Sequence, residues 1–265
     1  MAAQIIFRAI RAASRITRAF TDARGLRSTL TTARCIVGWT RLKMGWPARS
    51  HEAVLRLRDL SLRVDTSRAE LFPYWEIWHE RVYDSIPGFC CTGPKCVVDV
   101  GANIGAFSLY QSLKKKADLV VAFEPSSASF RRLTDNIKLN SVHNIQAINA
   151  AVGSSCGTLP FVELPFSFNC RIARSGDQSI VTVLSVTLDS ALGRLGIKKI
   201  DLLKIDTEGY EAQVLEGASA ILKRTDRVVL EMHSESDRDQ FDARLFLAGL
   251  RFIDRVGDLL FYSRS

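Results

Sequence analysis

Downstream of residue 95 the chain alternates short apolar runs with longer stretches whose apolar positions recur every three to four residues. The short runs predict strands at Cys96–Val100, Leu119–Phe123, 145–151, 200–205 and 227–232, since runs of this length and bulk suit strands covered on both faces. The periodic stretches between them predict helices over 104–116, 127–140, 211–223 and 237–248. Strands alternating with helices of ten to fifteen residues form parallel βαβ units. The final stretch, GLRFIDRVGDLLFYS, breaks this rhythm and predicts two strands turning at Gly257. Residues 153–180, with their Gly, Ser, Pro and scattered aromatics, read as an inserted loop or hairpin. A strand at Ile180–Val186 and a short helix over 187–195 follow it. The expected fold is α/β, a mostly parallel seven-stranded sheet with an antiparallel C-terminal strand.

Upstream, residues 53–65 (AVLRLRDLSLRVD) alternate with a period of two and predict a hairpin around Asp59. Residues 69–84 read as an aromatic-rich helix with Pro73 near its first turn, and Pro87, Gly88, Gly93 and Pro94 mark a loop. Residues 5–20 read as a helix, followed by a looser basic stretch to about residue 50. The chain thus divides into a basic, partly helical arm (1–50), strand and helix elements packing on the core (51–94), and the main α/β domain (95–265).

Charge sharpens that division. The net charge is +8, but residues 1–50 alone hold ten basic residues against Asp22, a net +9, leaving −1 for the rest. The basicity therefore belongs to the arm, and a nucleic-acid enzyme would need it beside its cleft. Six cysteines lie scattered without a CxxC pair, which argues for reduced thiols and against zinc. No run is long enough to span a bilayer, and the N-terminus lacks a secretory signal, so a cytoplasmic protein is expected. On a helical projection Arg8, Arg11, Arg15 and Arg18 share one arc, opposite Ile6, Ala9, Ile10, Ala13, Ile16 and Phe20. Three readings fit: peripheral membrane contact through residues 1–25, a helix docked on the protein's own core, or an organellar transit peptide.

Candidate chemistry sits where strands end. Asp99-Val100-Gly101-Ala102-Asn103-Ile104-Gly105 joins the first main strand to its helix, where open α/β sheets bind ligands. Gly101 would permit a tight turn and Gly105 close helix packing, while Asp99 would meet a ligand amine or order the loop. The spacing is not GxGxxG, so a nucleoside without phosphates fits better than a dinucleotide. Glu124, about twenty residues on, stands where an acid accepts both ribose hydroxyls, with Pro125 fixing its turn. Asp206, Glu208 and Glu211 cluster after the fourth main strand. They would supply a base, bind a divalent cation, or complement the dipole of the next helix. His233, ending the fifth strand, would take a proton from a hydroxyl.

Taken in order, DVGANIG, AFEP, NAAVG, TLDS, LLKIDTEGYE and LEMH resemble the FkbM family of methyltransferases over about residues 95–235. The resemblance implies a Rossmann-like class I methyltransferase fold, S-adenosylmethionine as cofactor, and O-methylation of a small polyhydroxylated acceptor. That acceptor would be a sugar, glycan or lipid-linked glycan. It implies a cofactor pocket containing Gly101, Asn103 and Glu124, to which the reading of the loops adds Asp99, Gly105, Pro125, Ala151 and Asp206. Asp206, His233 and Glu208 are the catalytic candidates, and no metal is expected. The alternatives are an RNA ribose O-methyltransferase and a non-catalytic nucleoside-binding module.

Overall fold

The computed structural model describes Thr17 and residues 20–46, 50–90, 92–178 and 180–264. Apart from Thr17 and Phe20, the helix expected over 5–20 lies outside the described residues, as do Arg8, Arg11, Arg15 and Arg18.

Helix α1 (Gly25–Lys43) occupies the stretch expected to be loose. Its docked face carries Ser28, Thr31, Thr32, Cys35 and Gly38, which are small or polar and give no apolar period to detect. Close approach explains the small residues, since a Cβ on Gly38 would lie 2.0 Å from the Thr66 carbonyl oxygen. The hairpin expected around Asp59 is present as β1 (Glu52–Arg56) and β2 (Ser61–Asp65). Ser28 Oγ accepts from the Arg56 amide at 3.0 Å and ties α1 to it.

The expected aromatic helix is instead broken. A helical turn (Phe72–Tyr74) widens into a π turn (Trp75–His79), and Arg81, in the left-handed region (φ +52°), separates these from a 3₁₀ turn (Val82–Asp84). The widened turn buries Trp75, Ile77 and Trp78 together, a spacing that one regular helical face would not deliver.

The main sheet contains β3 (Cys96–Val100), β4 (Leu119–Phe123), β5 (Ile145–Ile148), β10 (Leu202–Ile205), β11 (Arg227–Glu231), β12 (Leu250–Val256) and β13 (Leu259–Arg264). Their spatial order is β12-β13-β11-β10-β3-β4-β5, and β13 alone runs opposite to the other strands. Between these strands run α2 (Ala106–Leu113), α3 (Ser127–Leu139), α4 (Leu188–Arg194), α5 (Glu211–Glu216) and α6 (Arg238–Leu247). Apolar clusters cover both faces of the sheet, one shared with the 55–89 segment and the other with α4, α5 and α6.

The strand expected over 145–151 divides. After β5 the backbone leaves the main sheet, and β6 (Ala151–Val152) joins a second sheet with β7 (Gly157–Val162), β8 (Arg171–Ile172) and β9 (Ile180–Val186). The helix expected over 211–223 also divides at Gly217, where a Cβ would meet the Gly153 carbonyl oxygen at 2.0 Å.

Candidate active site

A cavity of about 540 Å³ lies over the carboxyl ends of β3, β4, β10 and β11. At one end β3 turns through Gly101 (φ +81°), where a Cβ would fall 1.8 Å from the Asp206 carbonyl oxygen, so glycine alone fits. Asn103 follows with φ +50°, and its amide donates to Glu124 Oε2 at 2.8 Å. The Ser126 amide donates to Glu124 Oε1, also at 2.8 Å. Burial raises the Glu124 carboxyl to about 7 against the opposing pull of these two amides. Asn103 Oδ1 is buried with no hydrogen-bond partner among the described residues, leaving an acceptor in the lining. Pro125 and Ala151 continue this wall, and the Asn149 amide fixes it by donating to the Glu124 and Pro125 carbonyls. Phe161 and Ile172 of the second sheet, with Ser167 in the 3₁₀ turn between their strands, cover the same end.

Two residues assigned to the pocket from the sequence stand outside its lining. Gly105 sits against Leu133, where a Cβ would meet Cδ1 at 2.5 Å, so it serves helix packing. Asp99 is fully buried, accepting from Ser108 Oγ at 2.6 Å and facing Lys204 Nζ at 3.2 Å. It orders the loop.

Lys204 was not singled out in the sequence, although a lysine within the apolar run LLKI needs an explanation. Its ammonium lies 2.8 Å from the Gly101 carbonyl and 3.3 Å from Asp206, bridging the two loops. Burial disfavours its charge, but Asp99 and Asp206 more than restore it and raise its pKa.

Beyond β10 the chain turns through Glu208 (φ +57°) and Gly209 (φ +97°). Glu211 Oε1 closes this turn, accepting from the Thr207 and Gly209 amides and from His233 Nδ1 at 3.0 Å. His233 Nε2 faces Glu208 at 3.4 Å. Burial opposes charge on the imidazole, yet hydrogen bonds to Glu208 and Glu211 raise it to about 11. His233 is thus an imidazolium clamped between carboxylates, and it does not line the cavity. Both ring nitrogens face carboxylates, an arrangement that suits the expected proton-accepting role less well than a role in holding Glu208 and Glu211. Asp206, Glu208 and His233 offer ligand atoms within 4.8 Å of one another, but a cation there would have to displace the His233–Glu208 pair.

Asp206 and Glu208 do line the cavity, and so do Glu231, Glu76 and Tyr83, which the sequence reading did not select. The charge of Asp206, and after it burial, pushes Glu231 up to about 8. Phe72, Val256 and Leu259 complete an apolar wall around this acidic end. Glu231 stood within the quoted motif LEMH, where the histidine drew attention instead. Glu76 and Tyr83 lie in the broken aromatic segment, which gives no local sign of what it faces.

The methyltransferase FkbM domain profile matches residues 99–260. Methyltransferase sdnD of Sordaria araneosa is 32% identical over 180 residues, covering 55% of this chain and 68% of the relative. Hexuronic acid methyltransferase AglP of Haloferax volcanii is 30% identical, covering 52% of this chain and 56% of the relative. This chain thus spans little more than half of that haloarchaeal protein. Among solved structures, methyltransferase FkbM from Methylobacillus flagellatus superposes with a TM-score of 0.50 at 14% identity, covering 96% of this chain and 59% of that one. That likeness concerns the fold. The chain belongs to the FkbM family, within the S-adenosylmethionine-dependent methyltransferases.

Proposed function

We propose that this chain transfers the methyl group of S-adenosylmethionine to a hydroxyl of a neutral or cationic small molecule, of sugar or glycan type. One observation carries the reading: a single cavity joins a wall suited to a nucleoside to an acidic end with apolar sides. S-adenosylmethionine supplies a methyl group already activated on its sulfonium. Glu124 would accept the ribose hydroxyls with the lone pairs its two amides leave, and Asn103 Oδ1 offers a further acceptor. Gly101 lets the backbone approach, with Pro125 and Ala151 beside the nucleoside.

At the other end a hydroxyl becomes a competent nucleophile only as its proton leaves. Asp206 and Glu231, on adjacent strands, are the carboxylates available to receive it. Glu208 borders the same end, while His233 would orient it. Phe72, Tyr83 and Leu259 exclude water and hold the acceptor in line.

The charge of the lining narrows the acceptor. Glu76, Glu124, Asp206, Glu208, Glu231 and Asp258 face the cavity, against Lys204, which Asp99 and Asp206 already neutralise. An anionic acceptor would meet repulsion from these carboxylates as they ionise, so a uronate suits this cavity less well than a neutral sugar, whatever the named substrate of the haloarchaeal relative. A phosphodiester backbone meets the same obstacle, which disfavours RNA ribose methylation.

The test is transfer of labelled methyl from S-adenosylmethionine to matched neutral, amino and uronic sugar acceptors. Transfer to the neutral or amino members, with the uronate poorest, is the expected result. Transfer to the uronate alone would overturn the charge argument. Cofactor binding with no transfer to any acceptor would favour a binding module.

A further inference from the structure

Helix α1 is inverted relative to an ordinary surface helix, which turns its apolar stripe inward. Its inward face holds Ser28, Thr31, Thr32, Cys35 and Gly38. Leu26, Leu30 and Val37 point the other way, 76%, 52% and 56% exposed, and Met44 just beyond the helix is 51% exposed. At 3.6 residues per turn these four positions fall within an arc of about 40°. Arg27, Arg34 and Arg41, all exposed and spaced seven residues apart, run along one flank of that stripe. Trp46, 56% exposed, follows. No acidic residue occurs between Asp22 and Glu52, and Asp22 is itself buried against Tyr74 and His79.

We infer that this face of α1 lies on an anionic lipid surface. Leu26, Leu30, Val37 and Met44 would enter the acyl boundary, with Arg27, Arg34 and Arg41 at the level of the headgroups. An apolar stripe with a cationic flank and no acids is the composition of helices that lie in a membrane interface. A second copy of the chain is the poorer occupant, because an antiparallel two-fold contact would bring like-charged arginine rows together and a parallel one would leave both rows without an opposite charge. No helix among the described residues is long and apolar enough to cross a membrane, so the contact would be peripheral.

The experiment is co-sedimentation of the full chain with vesicles of phosphatidylcholine, alone or with phosphatidylserine, at low and high salt. Binding is expected only to the vesicles containing phosphatidylserine, and it should weaken as salt rises. Each arginine near such a surface contributes about fivefold, so R27Q/R34Q/R41Q should weaken partition on the order of a hundredfold. L30S/V37S should weaken it at least about tenfold. Both variants are compared with the wild type for melting and cofactor binding, and neither should alter them, because the side chains are exposed. Equal binding to both vesicle types, no binding to either, or either variant sedimenting like the wild type would overturn the inference. So would variants that dissociate a dimer in light scattering while vesicles are ignored.

Discussion

Glu124 has both carboxylate oxygens engaged by backbone amides, so it braces the Asn103 and Ser126 turns as well as facing the cavity. Replacement by alanine would leave two amides unpaired and disturb the turn itself. Glu124→Gln is the cleaner probe, since it keeps one acceptor and removes the charge. It should weaken S-adenosylmethionine binding by about 1.5–3 kcal/mol in calorimetry on a folded protein. Because the carboxyl titrates near 7 and its ionised form is the better acceptor, wild-type affinity should rise as pH passes upward through 7. Equal affinity in both proteins at every pH would remove Glu124 from the pocket. For Glu231, pushed to about 8, competence as a base begins only as it ionises, so turnover should climb as pH rises through 8. Glu231→Gln should lower turnover about a hundredfold and flatten that limb, with cofactor affinity little changed. Near-normal rates with the limb intact would leave Asp206 as the proton acceptor.

The turn between β10 and α5 is an element held by one carboxylate, and its stability should report that arrangement. Glu211 gathers the Thr207 and Gly209 amides and His233, and the imidazole in turn holds Glu208. The folded-state pKa of His233 lies above its ordinary value of 6.5, at about 11. Its stabilisation is therefore present in full below pH 6.5 and is lost progressively as pH rises toward 11. His233→Gln should melt well below the wild type near pH 6, with the gap narrowing steadily toward pH 10. A gap of constant size would mean that the charge on His233 contributes nothing. The same elements show what could be read in advance. β3 and β4 occur with the predicted bounds, because strands buried on both faces must be apolar throughout. Gly101 and Glu124 follow strand ends, and Asn103 enters through the family resemblance; all three line the cavity. α1 was not legible in advance, since its docked face is small and polar while its large apolar residues point outward. The segment from Phe72 to Tyr83 departs from the single helix expected there because periodicity cannot anticipate a π turn or the left-handed Arg81.

Across the whole molecule the cavity has two origins, and they should be separable by mutation. The wall proposed to hold the cofactor comes from loops between consecutive elements of the main sheet, so its parts are close in sequence and carry a motif. The wall proposed to face the acceptor joins residues 72–83 to the β12–β13 turn, contributions more than 170 residues apart that only the folded sheet brings together. Lys204 lies at the junction, binding the Gly101 carbonyl on one side and Asp206 on the other. Glu76 belongs wholly to the acceptor side, near enough to Glu231 to raise its pKa as a minor contributor behind Asp206 and burial. Glu76→Gln removes one negative charge from that wall while leaving Glu124 and Asn103 as they were. Specificity is a difference between two affinities, so the effect should appear in a ratio. The preference for a neutral over a uronic acceptor, measured as the ratio of kcat/KM, should fall about threefold to tenfold, as expected for one charge across a partly solvated cavity. Cofactor affinity should not move. If the ratio is unchanged, the acidity of this wall does not select the acceptor; if cofactor affinity falls in step, the two walls are not independent.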